Sequence, residues 1–161
     1  KEYENKFKMV IGAGSSGPTT RWGSKNFSKL INQLNKSDDY FFFLLCGPNE
    51  REIESEIVSN LNKKNFITLS DKNIKNLIPY LCASDMYVGN DSFGSHITSQ
   101  SGKKSIVMLL DAPRAYTDYS QNYYQMVPNG FNINEITHGT NADPNLITVE
   151  EVIKTINQFR N

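Results

Sequence analysis

Three short polar stretches carry the side chains best suited to binding an anion, and the first is a glycine-rich loop near the N-terminus. Ser15, Thr19, Thr20 and Arg21 lie in this loop, shortly after an apolar run. Hydroxyl groups, backbone amides and one guanidinium together suit a phosphate group. The pattern predicts either a phosphate-binding loop or an ordinary flexible connection between a strand and a helix.

The same loop contains the letters GAGSSG at residues 12–17, which match the glycine pattern of dinucleotide-binding sites. In those sites the helix begins inside the pattern, but here Pro18 follows it and helical periodicity begins only near Phe27. The second predicted strand also ends in LCGP, without the carboxylate that would hold a ribose. We therefore expect no nicotinamide or flavin, and no other cofactor.

The second stretch is CGPNE at residues 46–50, which follows the second predicted strand. It places Glu50 in the first turn of a predicted helix. A carboxylate there either accepts hydrogen bonds from a ribose diol or stabilises the positive end of the helix, which contributes roughly 0.3 to 1 kcal/mol. Taken alone, the residue favours the second interpretation.

The third stretch is GNDSFGSH at residues 89–96, where a strand is predicted to turn into a helix. Asp91, Ser92 and Gly94 form the turn, and His96 lies about one helical turn further on. The exposed N–H groups of such a turn attract phosphate. This is the strongest predicted phosphate site, and the alternative is that Asp91 or Ser92 only caps the helix.

The elements that would position these stretches follow from five apolar runs, which predict strands at Phe7–Gly12, Tyr40–Cys46, Phe66–Leu69, Met86–Gly89 and Ser105–Leu110. Segments with the i, i+3, i+4 spacing of amphipathic helices separate them. Strands that are apolar throughout and joined by single helices are buried on both faces, as in parallel sheets with right-handed crossovers. The predicted fold class is α/β, a Rossmann-like doubly wound parallel sheet.

Helix details follow from the same reasoning. Asn49 with Glu52, and Thr148 with Glu151, are spaced as capping pairs and predict helix starts. Pro79 lies inside the third helix pattern and should bend that helix. Residues 113–144 are expected to form loops plus one short strand, which either line a ligand or only connect elements. The helix residues expected to be buried are Phe27, Leu30, Ile31, Leu34, Ile53, Ile57, Leu61, Ile74, Leu77, Ile78, Leu81, Val149, Val152, Ile153 and Ile156.

Size and composition limit the classes of partner. A chain of 161 residues fits one domain, residues 1–161. Lys plus Arg and Asp plus Glu number 17 each, so no net charge attracts a nucleic acid. Two cysteines, Cys46 and Cys82, are too few for a disulfide framework and suggest a reducing cytoplasm. No apolar run approaches the roughly 20 residues of a transmembrane helix, and the first residue, Lys1, suggests a piece of a longer chain.

Considered together, four stretches resemble the C-terminal, nucleotide-sugar-binding domain of glycosyltransferase family 9, the heptosyltransferase-like enzymes of bacterial surface polysaccharide synthesis. They are TTRW at 19–22, CGPNE, GNDSFGSH and the closing ITVEEVI at 147–153, and the resemblance covers roughly residues 8–159. It implies one lobe of a two-lobed GT-B enzyme. That enzyme would transfer a heptose-like sugar or hexose, with inversion and without metal, from a nucleotide diphosphate sugar to a glycan or lipid-linked acceptor.

The resemblance also implies roles for individual residues. Thr19, Thr20 and Arg21 would contact phosphate, Glu50 would hold the ribose, and the turn from Asp91 to His96 would bind the pyrophosphate. The general base would lie on an N-terminal acceptor lobe that this chain lacks, so no catalytic residue is expected within it. The implied location is cytoplasmic, with the full-length protein peripheral to the inner membrane.

Departures from the family pattern leave two alternatives. Thr20, Gly23 and Phe93 stand where the family has lysine, proline and glycine. A non-catalytic scaffold or partner-binding domain with an eroded nucleotide site is therefore the first alternative. The second is a serine hydrolase, in which Ser92 approximates a nucleophile elbow.

In that hydrolase, Asp111 or Asp118 with His138 would complete the order Ser, Asp, His.

Overall fold

The computed structural model describes residues 3–160 and contains a six-stranded sheet in which all neighbouring strands run parallel. The spatial order is β3-β2-β1-β4-β5-β6. This is the doubly wound order, in which the winding direction reverses between β1 and β4. The strands are β1 Phe7–Gly12, β2 Tyr40–Leu45, β3 Phe66–Thr68, β4 Met86–Asn90, β5 Lys104–Met108 and β6 Tyr123–Met126.

Five α-helices cover the two faces of the sheet. They are α1 Ser24–Leu34, α2 Arg51–Ser59, α3 Ile74–Ala83, α4 Phe93–Gln100 and α5 Val149–Arg160. Helices α1, α2 and α5 bury apolar residues in one core, whereas α3 and α4 contribute to the other. The sheet is therefore covered on both sides, and the predicted α/β fold class is confirmed.

Successive side chains of a central strand point to opposite faces of the sheet, and both faces are covered by helices. The central strands are therefore apolar throughout. In β1, Met9 and Ile11 join the core beneath α1 and α5, while Val10 joins the core beneath α3 and α4. All six residues of β2 are buried. Each fully buried large apolar side chain contributes roughly 1.5 to 3 kcal/mol, so a two-sided core selects a continuous apolar run over an alternating one.

The predicted strands agree with the structure to within two residues at each end. The sixth strand, β6, lies inside residues 113–144, where one short strand was expected. The capping pair of the last helix is confirmed, because the Thr148 N–H donates to the Glu151 carboxylate at 3.0 Å and the Glu151 N–H donates to the Thr148 hydroxyl at 3.3 Å.

The prediction that Asn49 caps the second helix is wrong. The Glu50 N–H donates to the Gly47 carbonyl at 3.0 Å and closes a turn that contains Asn49. Helix α2 therefore starts at Arg51 with Glu50 in the capping position. Because of this turn, the helix starts one residue later than a cap at Asn49 would place it, and the spacing of apolar residues does not reveal the turn.

The third helix buries only half of its predicted apolar stripe. Leu77 and Leu81 are buried, but Ile74 and Ile78 are 62% and 38% exposed. Ile74 is the first residue of α3 and borders a cleft at the end of the sheet, so the sheet does not cover it. Helix α3 continues through Pro79.

Two general properties complete the description. Among residues 3–160, no helix combines the length and the apolar character that crossing a membrane requires. Cys46 is buried, Cys82 is exposed, and both are free thiols.

Candidate functional site

A cleft of about 660 Å³ lies at the carboxyl edge of the sheet. The loops after β1, β2, β3 and β4 line it, which is where ligands bind in doubly wound folds. Parallel strands all end at this edge, and three distant polar stretches are thereby brought together. The predicted residues that line the cleft are Ser15, Arg21, Glu50, Asp91, Ser92, Gly94 and His96.

Thr19 and Thr20 are not among the residues that line the cleft. The Thr20 hydroxyl lies 2.7 Å from the Ser15 hydroxyl and donates to the Gly17 carbonyl at 2.8 Å, so it braces the loop. The Thr19 hydroxyl, together with backbone N–H groups that include that of Gly139, lowers the pKa of the Asp111 carboxyl. The predicted phosphate contacts of both threonines stay predictions.

Glu50 joins the two loops that form one wall of the cleft. Its Oε1 accepts hydrogen bonds from the Ser15 N–H at 2.9 Å and from Arg21 Nη2 at 3.0 Å, and its Oε2 accepts from the Gly47 N–H at 2.7 Å. A carboxylate accepts about four hydrogen bonds. One acceptor position is therefore left for a ligand, instead of the two that a ribose diol would use.

The Arg21 guanidinium is held from two directions within this wall. Its Nη2 donates to the Ser15 carbonyl at 3.1 Å as well as to Glu50. Its Nε is buried and has no acceptor among the described residues. Residues 14–21 and 46–50 are called the Arg21–Glu50 wall below, and they present a positive charge whose position is fixed by its own counter-ion.

Gly14 lets the Glu50 carboxylate pack directly against the loop after β1. A Cβ atom at position 14 would overlap the carboxylate of Glu50, so a side chain there is incompatible with the observed packing. Gly17, three residues further on, has open space around it and no such requirement. Of the three glycines in the GAGSSG pattern, Gly12 and Gly14 are needed for close approach, since a Cβ atom at position 12 would overlap the Tyr87 ring, whereas Gly17 is not.

The opposite wall, residues 91–96, is called the Asp91–His96 wall. Helix α4 begins at Phe93, with Ser92 in the capping position. Among residues 3–160, the N–H groups of Phe93 and Gly94 donate to no acceptor. Such free N–H groups at the positive end of a helix bind anions. A Cβ atom on Gly94 would overlap Leu45, so glycine lets α4 pack closely against the sheet.

Asp91 and His96 face each other in this wall. The Asp91 side chain is only 11% exposed, and its Oδ1 accepts no hydrogen bond from the described part of the chain but lies 3.4 Å from His96 Nε2. Burial raises the pKa of the Asp91 carboxyl, and the charge of His96 and a hydrogen bond from Ser95 oppose the increase. The wall therefore contains a carboxylate that is poorly satisfied by the protein itself.

His96 is held from behind by two tyrosines. Its Nδ1 lies 2.7 Å from the Tyr119 hydroxyl and 2.9 Å from the Tyr123 hydroxyl. Sequence reasoning missed both tyrosines, because they lie more than 20 residues along the chain in a segment without periodicity. The density of tyrosine in residues 113–124 was the available signal.

A buried amide connects the residues that flank the two walls, and sequence reasoning missed it as well. Asn90 Oδ1 accepts from the Trp22 N–H at 2.8 Å, and Asn90 Nδ2 donates to the Ala13 carbonyl at 2.8 Å. Trp22 is buried and its indole N–H donates to the Ile147 carbonyl at 2.8 Å. A polar residue at the end of an otherwise apolar strand was the signal for this contact.

The groups of the alternative hydrolase triad do not meet. The Ser92 hydroxyl lies 3.1 Å from the Tyr87 hydroxyl, and His138 Nε2 lies 3.0 Å from the Tyr116 hydroxyl. Asp118 pairs with Arg114 at 3.1 Å. Asp111 instead accepts the Gly139 N–H at 2.7 Å. Ser92 therefore has no histidine to activate it.

Cys46 lines the cleft as a neutral group. Burial, reinforced by the negative charges of Glu54 and Glu50, raises the pKa of its thiol to about 12. Within residues 3–160, no three His, Cys, Asp or Glu side chains are grouped so as to hold a metal ion.

Comparison with known proteins places these features in a family context. The model of glycosyltransferase family 9 (heptosyltransferase) matches residues 2–130. No protein of curated function matches the chain in sequence.

Solved structures give the same fold. The E. coli ADP-heptose LPS heptosyltransferase II superposes with a TM-score of 0.80 at 19% identity, over 97% of this chain and 47% of its own. A glycosyltransferase family 9 protein from Veillonella parvula gives 0.79 at 19% identity, over 96% and 46%. The E. coli heptosyltransferase WaaC, solved with ADP, gives 0.74 at 18% identity, over 97% and 45%. The chain thus spans about half the length of these proteins.

Proposed function

Glycosyltransferase family 9 is the family to which this chain belongs, and we propose that it forms the donor-binding half of a heptosyltransferase-like enzyme. The donor is a nucleotide diphosphate sugar carrying a heptose-like sugar or a hexose, and the acceptor is a cell-surface glycan or lipid. The observation that carries this proposal is the convergence of the Arg21–Glu50 wall and the Asp91–His96 wall on one cleft. Two similar E. coli structures contain ADP and an ADP-heptose analogue, which supports a nucleotide ligand.

In the proposed sugar transfer, negative charge develops on the leaving group. An acceptor oxygen attacks the anomeric carbon with inversion, the bond from that carbon to the diphosphate oxygen breaks, and the acceptor proton passes to a base. The nucleoside diphosphate leaves with extra negative charge. Free N–H groups of Phe93 and Gly94, the Arg21 guanidinium and His96 are the groups of this chain that can stabilise it. The proposal therefore needs no metal ion.

The remaining contacts follow from the two walls. Glu50 has one acceptor position left, which suits a single ribose hydroxyl. Apolar side chains of Leu69, Ile74, Leu77 and Phe93 line the cleft, and such a surface suits the flat face of a nucleobase. Thr19 and Thr20 are assigned to phosphate contacts, as the family resemblance implies, and Thr20 also braces the loop that carries Arg21.

We assign residues 1–161 to the donor domain, and the acceptor site and general base to a second lobe outside it. The chain alone is then expected to bind a nucleoside diphosphate or its sugar weakly and to turn nothing over. A lipid-linked acceptor would put the whole enzyme on the cytoplasmic face of the membrane, attached at its periphery.

Calorimetry tests the proposal with ADP, GDP, UDP and their sugars. At least one should release heat, and Arg21→Ala should weaken its binding roughly tenfold or more, because a hydrogen bond to a charged group contributes about 1.5 to 3 kcal/mol. Arg114→Ala removes an exposed arginine whose partner is Asp118 and should change nothing. If no nucleotide binds to the folded wild type, the scaffold with an eroded site replaces the transferase.

A further inference from the structure

The contacts of His96 bear on which of its ring nitrogens carries the proton, because a tyrosine hydroxyl can donate to a bare nitrogen or accept from an N–H. A neutral imidazole has one N–H donor and one bare acceptor nitrogen. Two tyrosine hydroxyls approach Nδ1, at 2.7 and 2.9 Å. On the other side, Nε2 lies 3.4 Å from Asp91 Oδ1, and the ring is 39% exposed at the cleft.

The tyrosine hydroxyls form a short chain that ends on Nδ1. The hydroxyls of Tyr119 and Tyr123 lie 3.2 Å apart, and that of Tyr123 also lies 3.4 Å from the Ser95 hydroxyl. Because Nδ1 has a single lone pair, one tyrosine can donate to it while the other donates to the first tyrosine's oxygen. Burial raises the pKa of Tyr123 further, so its hydroxyl keeps its proton.

The same two rings also fix the plane of the imidazole. The Tyr119 ring is nearly parallel to it, with centroids 6.0 Å apart and planes 12° from parallel. The Tyr123 ring lies edge-on at 6.1 Å and 73°. Of the titratable groups that face His96, Tyr119 and Tyr123 lie behind it and Asp91 lies in front.

We propose that Tyr119 and Tyr123 are positioning residues that hold His96 in the Nε2–H form, so that it presents a fixed N–H donor to a phosphate oxygen in the cleft. An ionised Asp91, whose Oδ1 lies 3.4 Å from Nε2 without a hydrogen bond, favours the same form by its negative charge, because a proton on Nε2 lies nearer to the carboxylate than a proton on Nδ1. Only the identity of the ligand rests on the proposed function. The tautomer itself is expected in the free protein, before any ligand binds.

The second histidine provides an internal control. The chain has two histidines, and His138 receives its tyrosine on the other nitrogen, with Nε2 lying 3.0 Å from the Tyr116 hydroxyl. If tyrosine hydroxyls set the tautomer, then His138 holds its proton on Nδ1. The two rings of the same molecule are therefore expected to carry opposite tautomers.

Long-range nitrogen–proton NMR of the free chain, above the titration range of histidine, measures both rings at once. In the wild type, His96 should be Nε2–H with an Nδ1 resonance typical of a hydrogen-bonded acceptor. In the Tyr119→Phe, Tyr123→Phe double variant, the ratio of Nε2–H to Nδ1–H should fall roughly tenfold, which corresponds to the loss of about one hydrogen bond. Both phenyl rings remain, and packing is preserved.

Matched variants separate a local effect from a general one. Tyr116→Phe should change His138 and leave His96 unaltered. Tyr124→Phe should change neither, because that ring packs against Phe159. If wild-type His96 carries its proton on Nδ1, or if the double variant leaves the His96 ratio and its Nδ1 resonance unchanged, the positioning assignment is overturned. The single variants supply the same comparison if the double variant does not fold.

Adding ADP to the wild-type sample separates this inference from the proposed function. A shift of the His96 Nε2 resonance with ADP supports a phosphate contact. If the tautomer behaves as described but none of ADP, GDP and UDP shifts the Nε2 resonance, the positioning role of the tyrosines is supported. The proposal that the cleft binds a nucleotide is then wrong.

Discussion

The two walls of the cleft are built on opposite principles. In the Arg21–Glu50 wall, the Glu50 carboxylate accepts from three donors and Arg21 Nη2 donates to two acceptors, while Arg21 Nε is left without an acceptor among the described residues. In the Asp91–His96 wall, two N–H groups and one carboxylate oxygen have no hydrogen-bond partner among the described residues. The first wall is largely closed, because Glu50 is already paired with its neighbours, whereas the second wall is open, with free N–H groups available for a ligand.

This difference separates stability from binding. Removing a group from the closed wall leaves its partners buried and unsatisfied, which costs free energy of folding. Removing a group from the open wall costs little folding energy but removes a contact that only a ligand uses. Variants that break the contacts of Glu50 should therefore lower the free energy of unfolding, whereas variants in the open wall should lower it little, and the following four predictions run from the largest expected effect to the smallest.

Glu50→Ala should lower the free energy of unfolding by about 3 kcal/mol, because it removes the acceptor of three hydrogen bonds and leaves Arg21 unpaired. Denaturant unfolding followed by circular dichroism measures the change. Glu52→Ala is the matched control, an exposed carboxylate in helix α2 two residues after Glu50. A loss below about 0.5 kcal/mol for Glu50→Ala would show that the wall is not closed in the way described.

Gly14→Ala should lower the free energy of unfolding by about 2 kcal/mol, since the new methyl group forces the Glu50 carboxylate away from the loop. Gly17→Ala, in open space with an extended backbone at φ −152°, should change it by less than about 0.5 kcal/mol. The same unfolding measurement compares the two. Equal effects at both positions would contradict a special role for Gly14.

Asp91→Asn should raise the free energy of unfolding by about 1 kcal/mol at neutral pH. The folded pKa of Asp91 is raised by burial, so ionising this carboxyl costs stability as pH rises through that pKa, and the cost is absent below its ordinary value. The stabilisation by asparagine should therefore disappear in acid. Unfolding curves at several pH values test this, and a stabilisation that persists in acid would exclude the ionisation of Asp91 as its cause.

His96→Ala should have the smallest effect on folding, within about 0.5 kcal/mol, because the ring is partly exposed at the cleft. Its effect on nucleotide affinity should nevertheless be a loss of roughly fivefold to tenfold, the value of one hydrogen bond to an anion. Unfolding and calorimetry on the same sample give both numbers. A destabilised variant with unchanged affinity would assign His96 to the support of the fold.

The fold was predictable because a buried parallel strand imposes a continuous apolar run, and five such runs stand out in the sequence. The meeting of Arg21, Glu50 and His96 at one cleft was predictable for a related reason, since carboxyl ends of parallel strands share an edge. Topology brings these residues together without any contact being visible in the sequence.

The partners of those residues could not be predicted from the sequence. The hydrogen bonds of Glu50 to Ser15 and Arg21 cross about 30 residues, and those of His96 to Tyr119 and Tyr123 arise from an irregular segment. Local periodicity carries no information about such contacts. The exposure of Ile74 likewise goes with its position as the first residue of α3 beside the cleft, which helix periodicity does not encode.

An amide NMR titration of the labelled chain with ADP, GDP and UDP tests most directly whether the open wall receives the diphosphate. We expect one of the three to produce its largest shifts at the N–H groups of Phe93 and Gly94, with smaller shifts near Arg21. Nothing should change in the separate polar groove of about 550 Å³ that Lys25, Lys29 and Asn60 help to line. Shifts confined to that groove, or none with any of the three nucleotides, would contradict a diphosphate site at the Asp91–His96 wall.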